Sequence, residues 1–240
     1  MKKMRLILFV AMVFLSLPLV GKAFNFQVDV TSRFIWRGFD LLPDNNSALQ
    51  PSLAYDFGDS GFSLNVFASI ALTNPDDAYK DFKREIDLTL TYALKTSENF
   101  SLVLGFTNYG WWFAEDFTFK DHTTQEFFVE LGFPKVLFGP KITAFYDINL
   151  YDGLYVKLSG GHSISIGGEL ALDLSAALGY NGGFNPIEGA DTGFSDLTIG
   201  ASLPIKLGGL TLSPFVNYTF VFLDAVNEDN ELWFGASLIF

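Results

Sequence analysis

Ten acidic residues fall on alternating positions of extended segments: Asp29, Asp56, Glu85, Asp87, Glu126, Glu130, Asp147, Asp173, Asp196 and Glu231. Arg33, Arg37, Lys83, Lys141 and Lys157 share their parity. Alternate side chains of a strand point to one face, so one face of a sheet carries a dense set of charges. Such a set cannot sit in a dry apolar interior, and the face is either wet or internally paired. The candidates for lining a solvent path are Arg33, Arg37, Asp56, Glu85, Asp87, Glu126, Glu130, Asp147, Lys157 and Asp173. Their acid excess predicts a preference for cations. The alternative is a plugged interior whose charges form a structural network, and the open path is the preferred reading. Arg33 and Arg37 are four residues apart and are expected on one strand, both inward, roughly 13 Å from each other. Together they would shape a constriction or latch onto interior acids, with the latch slightly favoured.

Other chemistry is thin. The chain has no cysteine, which excludes disulfides, thiolate metal sites and a Cys nucleophile. It has two histidines, His122 and His162. His162 takes the parity of the apolar face, and the residue two along is Ile164, not a serine. That counts against a lipase-like pair. His122 follows Asp121 near Glu115 and Asp116, so an Asp-His dyad stays open, with a solvated loop histidine as the simpler reading. No dedicated metal site or cofactor is expected, only weak Ca²⁺ or Mg²⁺ bridging by loop acids.

The elements that must hold these charges are strands. Residues 231–240 put Leu232, Phe234, Ala236, Leu238 and Phe240 on one face. The pattern repeats along the chain, for example with Phe62, Leu64, Val66, Ala68 and Ile70, and with Ile86, Leu88, Leu90, Tyr92 and Leu94. Counting alternation from residue 24 gives twelve strands, the first spanning 24–39. Connections after even-numbered strands are short turns such as Gly58-Asp59-Ser60-Gly61. Those after odd-numbered strands are mostly long and acidic, with Asp152-Gly153 as a hairpin signal. Pro51, Pro204 and Pro214 fall inside strands, where each removes a ladder donor.

Phe, Tyr and Trp number 27, 9 and 4, and aromatic residues cluster near strand ends. Tyr55, Phe57, Phe62, Tyr92, Phe100, Phe133 and Phe240 are expected to form one girdle, and Trp36, Trp111, Tyr180, Phe220, Phe222 and Phe234 the other. Inward aromatics such as Phe67, Phe128, Phe145, Tyr151, Phe215 and Trp233 are read as filling. Residues 1–23 read as a cleaved signal peptide, with a basic start, an apolar stretch from Leu6 to Val20, and small residues Gly21 and Ala23 before the cut. Losing Lys2, Lys3, Arg5 and Lys22 takes the formal charge from −12 to −16. Binding to nucleic acid through a basic face is therefore not expected. The fold class is an all-β, transmembrane, antiparallel up-and-down β-barrel of about twelve strands over residues 24–240.

The terminal strand ending in Phe240 resembles the closing signature of bacterial outer-membrane barrels, which implies recognition by the barrel-insertion machinery. Ser32-Arg33-Phe34-Ile35-Trp36-Arg37-Gly38-Phe39, followed by Gln50-Pro51-Ser52-Leu53-Ala54-Tyr55, resembles the opening of the TorF-type porin family. Glu85-Ile86-Asp87 resembles that family's acidic fourth strand, and the likeness covers about residues 28–92. It implies a barrel in the bacterial outer membrane, in contact with lipid and lipopolysaccharide. Arg37 and Gly38 match best. The expected function is passive diffusion of small solutes, with no enzymatic activity. A closed barrel with a structural or surface-binding role is the alternative, and an outer-membrane hydrolase comes third.

Overall fold

The computed structural model describes residues 24–42, 46–73, 83–111, 122–184 and 192–240. The signal segment and the loop acids Asp76, Asp77, Glu115, Asp116 and Asp121 lie outside these residues. Twelve strands form the wall: β1 (Phe24–Thr31), β2 (Ala48–Asp56), β3 (Phe62–Ala71), β4 (Arg84–Ser97), β5 (Phe100–Gly110), β6 (Thr123–Gly132), β7 (Lys141–Asp147), β8 (Leu154–Gly167), β9 (Leu170–Gly182), β10 (Gly193–Ser202), β11 (Leu210–Val221) and β12 (Glu231–Ile239). Each pairs antiparallel with its sequence neighbour. The sheet closes where β12 pairs with β1, from Thr31 opposite Gly235 to Gln27 opposite Ile239. The Phe240 amide continues this seam by donating to the Phe26 carbonyl at 2.9 Å. Closure leaves no free sheet edge at the seam.

The three prolines stand within an unbroken register. The β2–β3 pairs Leu49–Ile70 and Ser52–Phe67 keep one register across Pro51. Pro204 interrupts β10 before its continuation, Ile205–Leu207, which pairs with β11 in the same register. Pro214 lies on β11, and its carbonyl accepts from the Leu203 amide at 3.0 Å. Each proline removes one ladder donor without shifting the pairing.

The barrel is apolar outside. Phe127, Leu232 and Phe234 are 53–58% exposed on that face, and Leu88, Leu90, Leu104 and Val216 join them. A continuous belt of this kind is the surface of a barrel that sits in a bilayer. The lumen face carries hydroxyls that pair across strands: Ser63 with Thr91 at 2.6 Å, Thr89 with Thr107 at 3.0 Å and Thr198 with Thr219 at 2.9 Å.

The first strand is shorter than its alternation implies. β1 stops at Thr31, and Ile35–Trp36 pairs with Phe39–Asp40 in a separate hairpin. Arg37 and Gly38 turn it with φ of 55° and 86°, as in a type I′ turn. The apolar alternation of Phe34 and Trp36 is real, but alternation does not say whether a strand stays in the wall. This one turns inward. Trp36 and Trp111 therefore leave the expected girdle for the interior, whereas Tyr180, Phe220, Phe222 and Phe234 do face outward.

The facing of the strands gives the first prediction. Leu90→Arg, on the lipid face, should destabilise the barrel by about 2–4 kcal/mol, and Asn65→Arg, on the lumen face, should be near neutral. Urea titration of the protein in phospholipid vesicles reads both. Equal losses would contradict the assigned facing.

Candidate functional site

The site is built from the end of the barrel that carries the long loops. The hairpin after β1 folds into the lumen and forms a buried cluster there: Phe34, Phe39, Leu41 and Leu42 pack with Ala48, Tyr155, Phe184 and Val226. Leu42 is fully buried and Phe39 nearly so. The Arg37-Gly38 turn before Phe39 fits only because Gly38 has no side chain, since a Cβ there would stand 2.8 Å from Val226 Cγ1. Phe184 is held in place by Asn181, whose amide oxygen accepts from the Phe184 amide at 2.7 Å and whose Nδ2 donates to its carbonyl at 2.9 Å.

Arg37 sits at the tip of this insertion. Its Nη2 donates to Glu126 Oε1 at 2.8 Å and lies 2.7 Å from Oε2. The Tyr109 hydroxyl donates to the same carboxylate at 3.0 Å. The guanidinium carbon stands 4.5–4.9 Å from the ring centres of Trp36, Phe145, Tyr155 and Phe184. A planar cation suits such a box, because it can stack on rings while bonding a carboxylate at its edge. Arg33, at the base of the hairpin, bridges Asp40 at 2.7 Å and Glu231 at 2.8 Å.

The candidate lining residues separate into different roles. Arg33, Arg37 and Glu126 are latches, and the two arginines stand on an inward hairpin, not on one wall strand. Asp147 is fully buried. It accepts from the Thr124 hydroxyl at 2.6 Å and from the Asn149 and Tyr151 amides at 3.0 Å, and so shapes the loop 148–153. That loop is longer than the hairpin expected at Asp152-Gly153. Within it, burial lifts the Tyr151 phenol well above its ordinary pKa. Glu130 accepts from Lys141 at 2.9 Å, and Asp173 from the Ser163 hydroxyl. Asp56 is exposed at the far rim. Lys157 stands 5.4 Å over the Phe145 ring, with no ion pair among the described residues.

Glu85 and Asp87 are the exception. They are 4% and 7% exposed and face the lumen from β4, opposite Ser69 and Phe67. Glu85 Oε2 and Asp87 Oδ1 have no hydrogen-bond partner among the described residues. Arg37 is committed to Glu126. The apolar half of the hairpin, Phe39 to Leu42, was missed by alternation. Its signal was the Arg37-Gly38 turn pair followed by Phe39-Asp40-Leu41-Leu42, an apolar run where a polar loop is expected.

Residues 18–226 match a family described as "Bacterial protein of unknown function (Gcw_chp)". The chain belongs to this family. No curated protein matches its sequence. Among solved structures, the NanC porin superposes with a TM-score of 0.56 at 11% identity, over 90% of this chain and 98% of that one. The KdgM porin gives 0.57 at 10% identity, over 90% and 98%. LpxR from Salmonella typhimurium gives 0.50 at 10% identity, over 90% and 99%. At such identities the likeness is one of fold, a porin-like barrel, and the TorF-type resemblance is matched only at that level.

Both histidines fall among the described residues. His162 of this Gcw_chp chain lies on the outer face, with its ring 5.7 Å from Phe138. Its neighbours on that face are Gly160 and Ile164 along β8 and Leu174 across on β9, none with a hydroxyl or carboxylate. His122 lies at the start of β6, and its carbonyl accepts from the Trp111 amide at 2.9 Å.

The latch gives the second prediction. Arg37→Ala and Glu126→Ala should each destabilise the folded protein by about 3–5 kcal/mol, because each strands a buried charge. The double variant should lose clearly less than the sum. Urea unfolding in vesicles supplies the cycle. Additive losses would show that the two groups do not depend on each other.

Proposed function

We propose that the chain is a bacterial outer-membrane channel for passive diffusion of small solutes, with cations preferred. On this reading residues 1–23 are a cleaved signal peptide, and the short turns face the periplasm. The long loops face outward beside lipopolysaccharide, and the strand ending in Phe240 is read by the insertion machinery. The NanC and KdgM porins share the architecture, and the TorF-type likeness of residues 28–92 belongs to the same reading.

One observation carries it. The lumen face carries hydroxyls paired across strands, and Glu85 and Asp87, which face the lumen from β4, have no basic partner among the described residues. Carboxylates that face a passage without basic partners favour cations over anions. The lumen of a twelve-stranded barrel lies between the filled eight-stranded type and the open sixteen-stranded one, so passage is narrow.

A second reading, a closed barrel, is favoured by the packed hairpin. Phe39 and Leu42 are as buried as a core. The channel reading requires solute to pass beside the hairpin or the hairpin to withdraw.

Refolded protein in a planar bilayer under a salt gradient separates these. Discrete steps with a cation-directed reversal potential are expected. Glu85→Gln with Asp87→Asn should move that potential toward zero at nearly unchanged conductance. Silence from wild type, together with steps from a variant whose residues 34–42 are replaced by a Gly-Ser linker, would move the assignment to the closed barrel. The reading includes no enzymatic activity. Lipid hydrolysis by the refolded protein that His122→Ala abolished would overturn that part.

A further inference from the structure

Outside the lumen, the wall has a notch that the channel does not use. β7 is short. Its first residue, Lys141, pairs with Ser159, and β8 then runs on to Gly167 with only β9 beside it. The turn between β6 and β7 is laid against this overhang. The Gly161 amide donates to the Phe138 carbonyl at 2.8 Å. Phe138 reaches it with φ of 68°, a conformation that is uncommon for an aromatic residue. The Phe138 ring stands edge-on to His162 at 5.7 Å. A Cβ on Gly160 would approach the Phe138 carbonyl to 2.8 Å, so the turn can close only over glycine.

The result is a groove of about 560 Å³ on the outer face. Its floor is Gly160 and Ala176, and Leu137 and Phe138 form one wall. Leu158, Leu178 and Leu197 lie toward its upper end, and His162 with Ile164 toward the short-turn end. Leu137 is 69% exposed and Phe138 55%, so an apolar turn is held out into the surroundings. The surroundings are hydrocarbon, because the groove lies within the apolar belt. A volume of this size fits one bound small molecule or chain. An ionisable side chain on a lipid-exposed face is costly and marks a specific contact.

We infer that this groove binds one acyl chain of a phospholipid of the periplasmic leaflet. The tail runs over Gly160 and Ala176 toward Leu178, and His162 meets the polar end of the lipid. The direction follows from the groove: its titratable residue lies at the end nearer the short turns, and its far end is wholly aliphatic. The assignment of leaflet rests on the orientation proposed above.

Native mass spectrometry of the full barrel tests this after reconstitution with palmitoyl-oleoyl-phosphatidylethanolamine and transfer to detergent. Wild type should retain one equivalent of lipid. Ala176→Trp, which fills the floor, should retain at least tenfold less. Ala236→Trp, the same change on the lipid face of β12, should retain as much as wild type, and His162→Ala should retain less. Equal retention by Ala176→Trp, no lipid on wild type, or lipopolysaccharide displacing phospholipid from the groove would each overturn the inference. Conductance is independent of this result. A barrel that conducts but carries no lipid loses only the groove assignment, and a silent barrel that retains lipid keeps it.

Discussion

The contact between Arg37 and Glu126 is the interaction on which the rest of the interior depends. It joins residues 89 apart in sequence and fixes a loop inside a tube. A buried guanidinium is tolerable only with its charge answered and its faces covered. Glu126 supplies the first, and Trp36, Phe145, Tyr155 and Phe184 supply the second. With Arg37 in place the hairpin's apolar residues have somewhere to pack. Without it, Phe34, Phe39, Leu41 and Leu42 would be an apolar loop at a water-filled mouth.

This arrangement inverts the usual layout of a globular domain. The wall presents its apolar face outward, so the wall alone makes no core. The buried apolar cluster is assembled by side chains of the first, fourth, fifth and last long connections, which meet inside one end of the barrel. Polar clamps hold those connections: Asp147 for the loop 148–153, Asn181 for Phe184, and Arg33 between Asp40 and Glu231. The lumen acids are thereby divided. Most are spent on structure, and Glu85 with Asp87 carry oxygens that no described residue pairs.

The twelve strands were legible because a bilayer and an aqueous lumen impose opposite demands on alternate residues, and that period survives in Leu64, Val66 and Ala68 as in Leu232, Phe234 and Ala236. The three prolines were visible as anomalies, but the unbroken register across them was not, since register is defined by the partner strand. The inward hairpin was hidden for the same reason. Phe34 and Trp36 continue the alternation of β1, and only the turn at Arg37-Gly38 and contacts to β6, β7, β8 and the loop after β9 send them inward. Trp111 was read as a girdle residue from its place at a strand end, yet it packs beside Tyr151. Parity could not show that Asp147 and Glu126 are clamps and Asp56 a rim residue.

The hairpin in the lumen is the central claim, and amide hydrogen exchange of the folded barrel tests it most directly. The Leu41 amide donates to the Phe34 carbonyl at 2.9 Å inside the packed cluster. Peptides covering residues 34–42 should therefore exchange as slowly as those from the barrel wall. Exchange of that segment as fast as an exposed loop, with the wall protected, would mean that the hairpin does not occupy the lumen and that the passage is open.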